Sequence, residues 1–223
     1  MQAQAASGPR YGMMPPNTNC SKGGIMEDDL RHATLDLLVP LAEATAKEVH
    51  DLFGTLSAAD LNWKPSPDEW SVGQCLDHLI ISTRIYFPIL DQVIAGQHRP
   101  TFIERIPVLP DKLGPILIKA LTPGSATATK TSAALEPSAS AIAPKIALTF
   151  LRIQAQLIAL MQGSADPRVQ RTVITSPIMP LITYRVIDMY RFTLAHQQLH
   201  VIQAQRVLEQ LRAPAQPTES AAA

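Results

Sequence analysis

Residues 70–79 read WSVGQCLDHL, and this stretch fixes where a long helix begins. Ser71 precedes Gln74 by three residues, which is the spacing of a capping box: the serine oxygen accepts the glutamine N–H, and the glutamine side chain reaches back. Trp70 and Cys75 occupy the two flanking positions whose side chains pack together as a hydrophobic staple. The stretch therefore predicts a helix that starts at Ser71.

Four helices are predicted from apolar residues that recur every three or four positions. Pro40 marks either a kink or a late start in the first helix, and Pro88 is expected to bend the second before Gly96 ends it. The start of the third helix follows either Pro137 or Pro144. The predicted helices cover residues 27–56, 71–95, 138–162 or 145–162, and 181–211.

The connection between the second and third helices decides the topology. Residues 97–135 are too long for a tight hairpin, so they favour a crossover; a short helix is expected over 111–120 and a flexible loop over 122–134. Strand signals are almost absent. The predicted fold class is all-α, a four-helix bundle with a long crossover between helices 2 and 3.

Composition narrows the class of protein. The 223 residues carry 19 basic and 19 acidic side chains, so there is no basic excess for nucleic acid or an anionic membrane. No transmembrane helix and no secretory signal are expected. The two cysteines form no CxxC pair, so the sequence indicates neither a disulfide framework nor a cysteine zinc site, and a reduced, cytoplasmic setting is expected.

Both ends of the chain are polar or rich in proline and alanine. Residues 1–25 are predicted to be a disordered tail. The hypothesis that this tail is not native rests on Lys22-Gly23-Gly24 before Met26, which resembles a translated ribosome-binding site. Met26 is then the expected start. The bundle is assigned to residues 26–212, and residues 213–223 to a flexible tail.

Two histidines lie one turn apart on the last helix, in the stretch FTLAHQQLHVIQAQ over residues 192–205. His196 and His200 share a face that is largely apolar and should point inward. Buried imidazoles need partners, since an unsatisfied buried polar group costs ~1–3 kcal/mol. A divalent cation would supply one, because i,i+4 spacing lets two neutral rings converge on one ion.

A third histidine strengthens the metal interpretation. His78 lies about two turns into the helix that Ser71 begins, on another face that is mostly apolar. A bundle can bring it opposite His196 and His200, and three nitrogen ligands with open positions are typical of a catalytic metal site. The alternative is that the rings are satisfied internally, by Gln203, a serine or a backbone carbonyl, with no ion.

Other candidate residues have simpler interpretations. His50 is expected at the surface beside its neighbouring aspartate, although it could approach the site from the first helix. His32 and His98 are expected in solvent. Cys75 could reach the metal pocket but is more typical of a small core residue. No Glu-x-x-His pair indicates a di-iron centre, and no general base can be assigned, so the catalytic residues are unknown.

These motifs resemble the DinB/YfiT-like family of bacterial four-helix bundles. The Trp-Ser opening of the second helix, with His78-Leu79 seven residues after the serine, and the His196-x-x-x-His200 pair followed by Gln203 match that family over roughly residues 27–211. The chain departs from it at Leu199, where the family often has arginine.

The resemblance implies both a site and an activity. His78, His196 and His200 would bind a divalent metal, zinc or nickel first, with iron or manganese as further candidates. Several relatives transfer a low-molecular-weight thiol to an electrophile, and Gln203 or Gln74 would orient a ligand. The expected partners are such small molecules, and the resemblance is also compatible with a homodimer. The alternative is a non-catalytic, stress-associated metal-binding protein.

Overall fold

The structure is a computed structural model that describes residues 27–106, 108–122, 132–138 and 141–214. The helices and strands in chain order are α1 Glu27–His32, α2 Leu35–Phe53, α3 Ala58–Asn62, α4 Val72–Arg84, α5 Phe87–Ile94, a 3-10 turn Ile103–Arg105, α6 Val108–Leu121, a 3-10 turn Ala133–Leu135, α7 Ile146–Gly163, α8 Pro167–Arg171, β1 Val173–Thr175, β2 Thr183–Arg185 and α9 Val186–Arg212.

Some predictions fall outside the described residues. These are the tail over residues 1–25, the start at Met26, most of the loop over 122–134, and nearly all of the tail over 213–223. They stay predictions.

The four-helix bundle is confirmed. Helix α2 contacts α7 and α9, and α4 contacts the same two helices, so the ring order is α2, α7, α4, α9. The long crossover is also present, because residues 95–145 separate α5 from α7. Within it, α6 packs against α9 and β2 rather than joining the ring.

The capping box forms as predicted. The Ser71 side chain accepts the Gln74 N–H at 3.2 Å, and Gln74 Oε1 accepts the Ser71 N–H at 3.2 Å. The predicted bend is also seen: α4 ends at Arg84, and α5 begins with Pro88 in its first turn. Proline has no N–H to bond back to the preceding turn, so a continuous helix cannot pass through it undisturbed.

The first predicted helix is two helices rather than one. The chain breaks after α1, and Thr34 adopts an extended conformation as the N-cap of α2. The Thr34 side chain makes no capping hydrogen bond. Pro40 lies inside α2, so the interpretation of Pro40 as a late helix start was wrong.

The last predicted helix starts five residues late. It begins at Val186 rather than Leu181, because residues 183–185 pair antiparallel with residues 173–175 in a short hairpin. Such short strands carry too few residues for an alternating pattern to be recognised. For the third helix, the start after Pro144 is the one observed.

Four buried polar side chains divide the core into two apolar clusters: Thr45, Thr83, Gln154 and Gln197. Gln154 Nε2 donates to Gln197 Oε1 at 3.0 Å, and Gln197 Nε2 donates to Gln154 Oε1 at 2.9 Å. The second hydrogen of each amide goes to the Ala42 carbonyl at 3.0 Å and to Thr83 Oγ1 at 3.2 Å, respectively. This polar layer joins all four helices of the ring.

Replacing one member of the glutamine pair should destabilise the bundle more than replacing both. Gln197→Leu leaves the Gln154 amide buried without its partner, which costs ~1–3 kcal/mol in the free energy of unfolding. In the double variant Gln154→Leu/Gln197→Leu, both partners are apolar and part of that loss returns. Urea unfolding measures each variant; a double variant that loses the sum of the two single losses would contradict the pairing.

Among the residues that the structure describes, one helix, α7, is long and apolar enough to cross a membrane by length and composition, with a mean hydropathy of 1.3. In the bundle, its Phe150, Leu157 and Met161 are buried in the core, and the helix packs against α2 and α4. These residues belong to the 33% of the helix that is buried.

Candidate metal centre

Helices α4 and α9 bring three histidines together. The Nε2 atom of His196 lies 3.1 Å from Nε2 of His78 and 3.0 Å from Nε2 of His200. One ligand nitrogen of each ring lies within 4.8 Å of the others. His78 and His200 are buried, and His196 is half-buried.

The outer nitrogens of two of these rings are held by acceptors. Nδ1 of His78 donates to the carbonyl oxygen of Leu135 at 2.7 Å, and Nδ1 of His200 donates to Oε1 of Gln203 at 2.8 Å. A neutral imidazole carries one N–H, so the Nε2 atom of each of these rings presents a lone pair. Both lone pairs point at His196, which has at most one proton to share between them.

The spacing of the nitrogens matches a bound cation. Imidazole nitrogens lie about 2.0–2.1 Å from zinc, so two of them stand about 2.9 Å apart at a right angle and about 3.3 Å apart at a tetrahedral angle. The observed separations of 3.0 and 3.1 Å fall between these values. Three convergent neutral nitrogens, two already oriented by a second hydrogen bond, form the usual donor set for a divalent metal.

The pKa of each ring favours the metal-binding form. Burial lowers the pKa of His78, and it lowers that of His196 well below its usual value with help from the charges of the neighbouring rings. Burial, with repulsion from His78, lowers the pKa of His200 to about 3, although the hydrogen bond to Gln203 opposes this shift. The three imidazoles are therefore neutral at pH 7, as metal ligands must be.

Trp70 covers the cluster, a role that the sequence did not reveal. Its ring centroid lies 4.9 Å from that of His78 and 5.6 Å from that of His200, and the latter pair is stacked. Trp70 is itself buried, so it excludes water from this side and limits rotation of both rings. The sequence signal for this role was the position of Trp70 in the hydrophobic staple beside the capping box, which places the indole two turns before His78.

The two predicted orienting glutamines have different roles. Gln203 holds His200, as predicted. Gln74 instead caps α4 and donates from Nε2 to the Ser138 carbonyl at 3.2 Å, so it anchors the crossover rather than a ligand. The role of the Leu135 carbonyl was not predicted. Every residue has a backbone carbonyl, so the residue type does not show which one accepts a hydrogen bond.

Removing the Gln203 amide should weaken metal binding without removing a ligand. Gln203→Leu leaves Nδ1 of His200 without its acceptor, and loss of such a partner typically costs about 10–100-fold in metal affinity. Competition with a chromophoric chelator measures the change. Gln205→Leu on the same helix is the matched control, since Gln205 bonds to Glu48 at the surface and should leave the affinity unchanged.

The remaining histidines stay outside the cluster. His50 is exposed, with Nδ1 3.2 Å from the Asp51 carboxylate, and His32 is exposed, both as predicted. The prediction for His98 was wrong: its side chain is only 8% exposed and lies 3.3 Å from the Glu104 carboxylate. We had expected His98 to be in solvent because it follows the end of a helix, but the loop after α5 folds back onto β1.

Cys75 is a core residue and does not join the histidines. It is fully buried within one apolar cluster, and burial raises the pKa of its thiol. In the part of the chain that the structure describes, the cluster consists of the three imidazoles alone, with no carboxylate or thiol.

The fold and the site define a class: a helical bundle with an inward-facing histidine triad suited to a divalent metal. The chain belongs to the DinB superfamily, whose sequence model matches residues 41–204. YfiT from Bacillus subtilis is similar in structure, with a TM-score of 0.52 and 12% identity over 90% of this chain and 94% of that one. At this identity the likeness shows the fold alone. No curated protein matches the sequence.

Proposed function

We propose that the chain binds one divalent cation through the Nε2 atoms of His78, His196 and His200 and uses it to transfer a low-molecular-weight thiol to an electrophile. The observation that carries the metal site is the convergence of three ring nitrogens, two of which must present lone pairs. Without a cation, at least one of the close nitrogen contacts would have no proton between its atoms.

A divalent ion in this position would lower the pKa of a thiol that binds it, so that thiolate is available at neutral pH. The sulfur of the thiol, having released its proton to solvent, would form a bond to the electrophilic carbon, and the leaving group would depart with the electrons of the bond that breaks. The protein's own part is to hold the three nitrogens, with Leu135 and Gln203 fixing two rings, and to keep one side dry with Trp70.

We propose zinc or nickel, with iron and manganese as further candidates. Imidazole is a good ligand for zinc, nickel and iron, and manganese prefers oxygen ligands. Within the described residues the cluster offers nitrogen donors alone, which favours zinc, nickel and iron alike over manganese.

Two alternatives use the same site. Hydrolysis is favoured by the description of YfiT as "a probable metal-dependent hydrolase with an unusual four-helix bundle topology". The other is a non-catalytic, stress-associated metal-binding protein, for which we also propose a homodimer. In each case we propose a bacterial, cytoplasmic protein; the equal numbers of acidic and basic residues and the buried thiol of Cys75 support that setting.

Activity assays on metal-loaded and metal-free protein separate these functions. For thiol transfer, the loaded form should accelerate the reaction of cysteine with monochlorobimane, and the metal-free form should not. Hydrolysis of p-nitrophenyl acetate by the loaded form, without thiol transfer, would favour the hydrolase. Metal binding that raises the melting temperature, without acceleration of either reaction, would support the function of a non-catalytic metal-binding protein.

A further inference from the structure

A short segment of the crossover also reaches the metal site. Residues 132–138, which we call the strap, lie against α4 through the 3-10 turn Ala133–Leu135. Leu135 and Pro137 are half-buried, and the other residues of the strap are exposed. Because the strap buries no side chain completely, apolar packing does little to fix its position, and its polar contacts decide where it lies.

Three side chains of α4 hold the strap by its backbone. Nε2 of Gln74 donates to the carbonyl oxygen of Ser138 at 3.2 Å, and Oδ2 of Asp77 accepts the Ser138 N–H at 2.8 Å. Nδ1 of His78 donates to the carbonyl oxygen of Leu135 at 2.7 Å. The three side chains are spaced i, i+3 and i+4, so they share one face of α4, and one of them is a proposed metal ligand.

Asp77 makes the strongest of the contacts at Ser138. A carboxylate that accepts a backbone N–H forms a shorter and stronger hydrogen bond than a neutral pair does, and the distance to Asp77 is the shorter of the two. Within the described residues, the Ser138 N–H is the hydrogen-bond partner of this carboxylate. Holding the strap is therefore the role that the contacts of Asp77 indicate.

The position of Ser138 also controls that of the Leu135 carbonyl. Ser138 follows Leu135 by three residues, and Pro137 between them has a backbone φ fixed by its ring. A strap fastened at Ser138 thus keeps the carbonyl oxygen beside Nδ1 of His78. If that contact with Asp77 is lost, the Gln74 amide is the remaining side-chain contact of Ser138 to α4.

The Leu135 carbonyl decides which nitrogen of His78 carries the proton. The hydrogen bond made by one nitrogen of a neutral imidazole sets which nitrogen is protonated. With an acceptor 2.7 Å from Nδ1, the proton lies there, and Nε2 directs a lone pair toward His196. Without that acceptor the proton can move to Nε2, where it would occupy the position of the cation.

We propose that Asp77 is a positioning residue of the metal site. By holding the strap at Ser138, it keeps the Leu135 carbonyl on Nδ1 of His78 and so keeps the Nε2 lone pair available. The inference rests on the proposed function, since it assigns His78 to the cation. The tautomer itself is a property of the protein without metal and can be measured there.

Nitrogen-15 NMR of metal-free, full-length protein with labelled histidines tests the proposal, because protonated and unprotonated ring nitrogens differ in chemical shift. The signals missing from the His78→Ala variant identify the ring. Wild type should show His78 protonated at Nδ1, and Asp77→Ala should show a population protonated at Nε2. Identical His78 signals in the two proteins would overturn the proposal. No metal is present, so this outcome is separate from a failure of the proposed function.

Zinc affinity, measured by competition with a chromophoric chelator, gives a second readout. Asp77→Ala should bind zinc about three- to tenfold more weakly, less than the about 10–100-fold typical when the direct partner of a ligand is lost. Asp77 belongs to neither apolar cluster, so the bundle should remain folded. An affinity equal to that of the wild type would overturn the proposal.

Asp77→Asn is the matched variant, because its side-chain oxygen can still accept the Ser138 N–H although the charge is gone. It should keep the tautomer and the zinc affinity of the wild type. Asp36→Ala, which removes an exposed carboxylate from α2, should also leave both unchanged. A loss in Asp77→Asn equal to that in Asp77→Ala would assign the effect to charge rather than to the strap and overturn the proposal.

Discussion

Replacement of His196 by alanine is expected to abolish stoichiometric metal binding. His196 stands between the other two rings, with its Nε2 within 3.1 Å of each of their Nε2 atoms. Loss of a residue that only orients a ligand costs about 10–100-fold in affinity, so loss of the ligand itself should cost more than about 100-fold. Elemental analysis after dialysis of tag-free protein should fall from near one equivalent to near zero.

The control for this variant is His50→Ala. His50 is exposed and hydrogen-bonded only to its neighbour Asp51, so the variant loses an imidazole without touching the cluster. It should retain the metal content of the wild type. If His196→Ala retains it too, the ion is bound elsewhere and the triad is not its site.

Acid is expected to destabilise the metal-free protein steeply below pH 6.5. The triad has lowered pKa values in the folded state, mainly through burial. The unfolded chain then binds more protons than the folded chain, so stability present above pH 6.5 is lost as the pH falls. Each ring costs about 1.4 kcal/mol per pH unit while it is protonated only in the unfolded state, or about 4 kcal/mol for all three.

The variant His200→Gln isolates one ring of this effect. The pKa of His200 is lowered to about 3, so its share of the slope should extend from pH 6.5 almost to that value. Urea unfolding at pH 7, 6 and 5 should show a shallower slope in the variant, by about 0.7 kcal/mol per unit near pH 6.5, where the unfolded imidazole is half protonated, and by about 1.4 kcal/mol per unit near pH 5. Parallel curves would mean that His200 is not held neutral in the folded protein. Acidic side chains contribute equally to both curves and cancel in the difference.

Much of the bundle was predictable because its determinants are local. A serine followed three residues later by glutamine predicts where α4 begins, and the periodic apolar residues indicate which helix faces point inward. The inward direction of His78, His196 and His200 follows from the same periodicity. The contact between these histidines does not follow from the periodicity. His78 and His196 are 118 positions apart in the chain, so only the packing of the helices brings them together.

The errors have two causes. The hairpin of residues 173–175 with 183–185 is local, but its three-residue strands are too short to show an alternating pattern, so α9 was predicted to start too early. The burial of the His98 side chain beside Glu104 and the Gln154–Gln197 pair depend on tertiary packing, which no local pattern shows.

X-ray absorption spectroscopy at the metal edge, on wild-type protein loaded with one equivalent of zinc, tests the metal centre most directly. The account predicts three imidazole nitrogens at about 2.0–2.1 Å together with at least one non-histidine ligand in the open part of the coordination sphere. The His78→Ala variant should show fewer imidazoles. A wild-type spectrum with fewer than three imidazoles, or with sulfur from the protein, would contradict it.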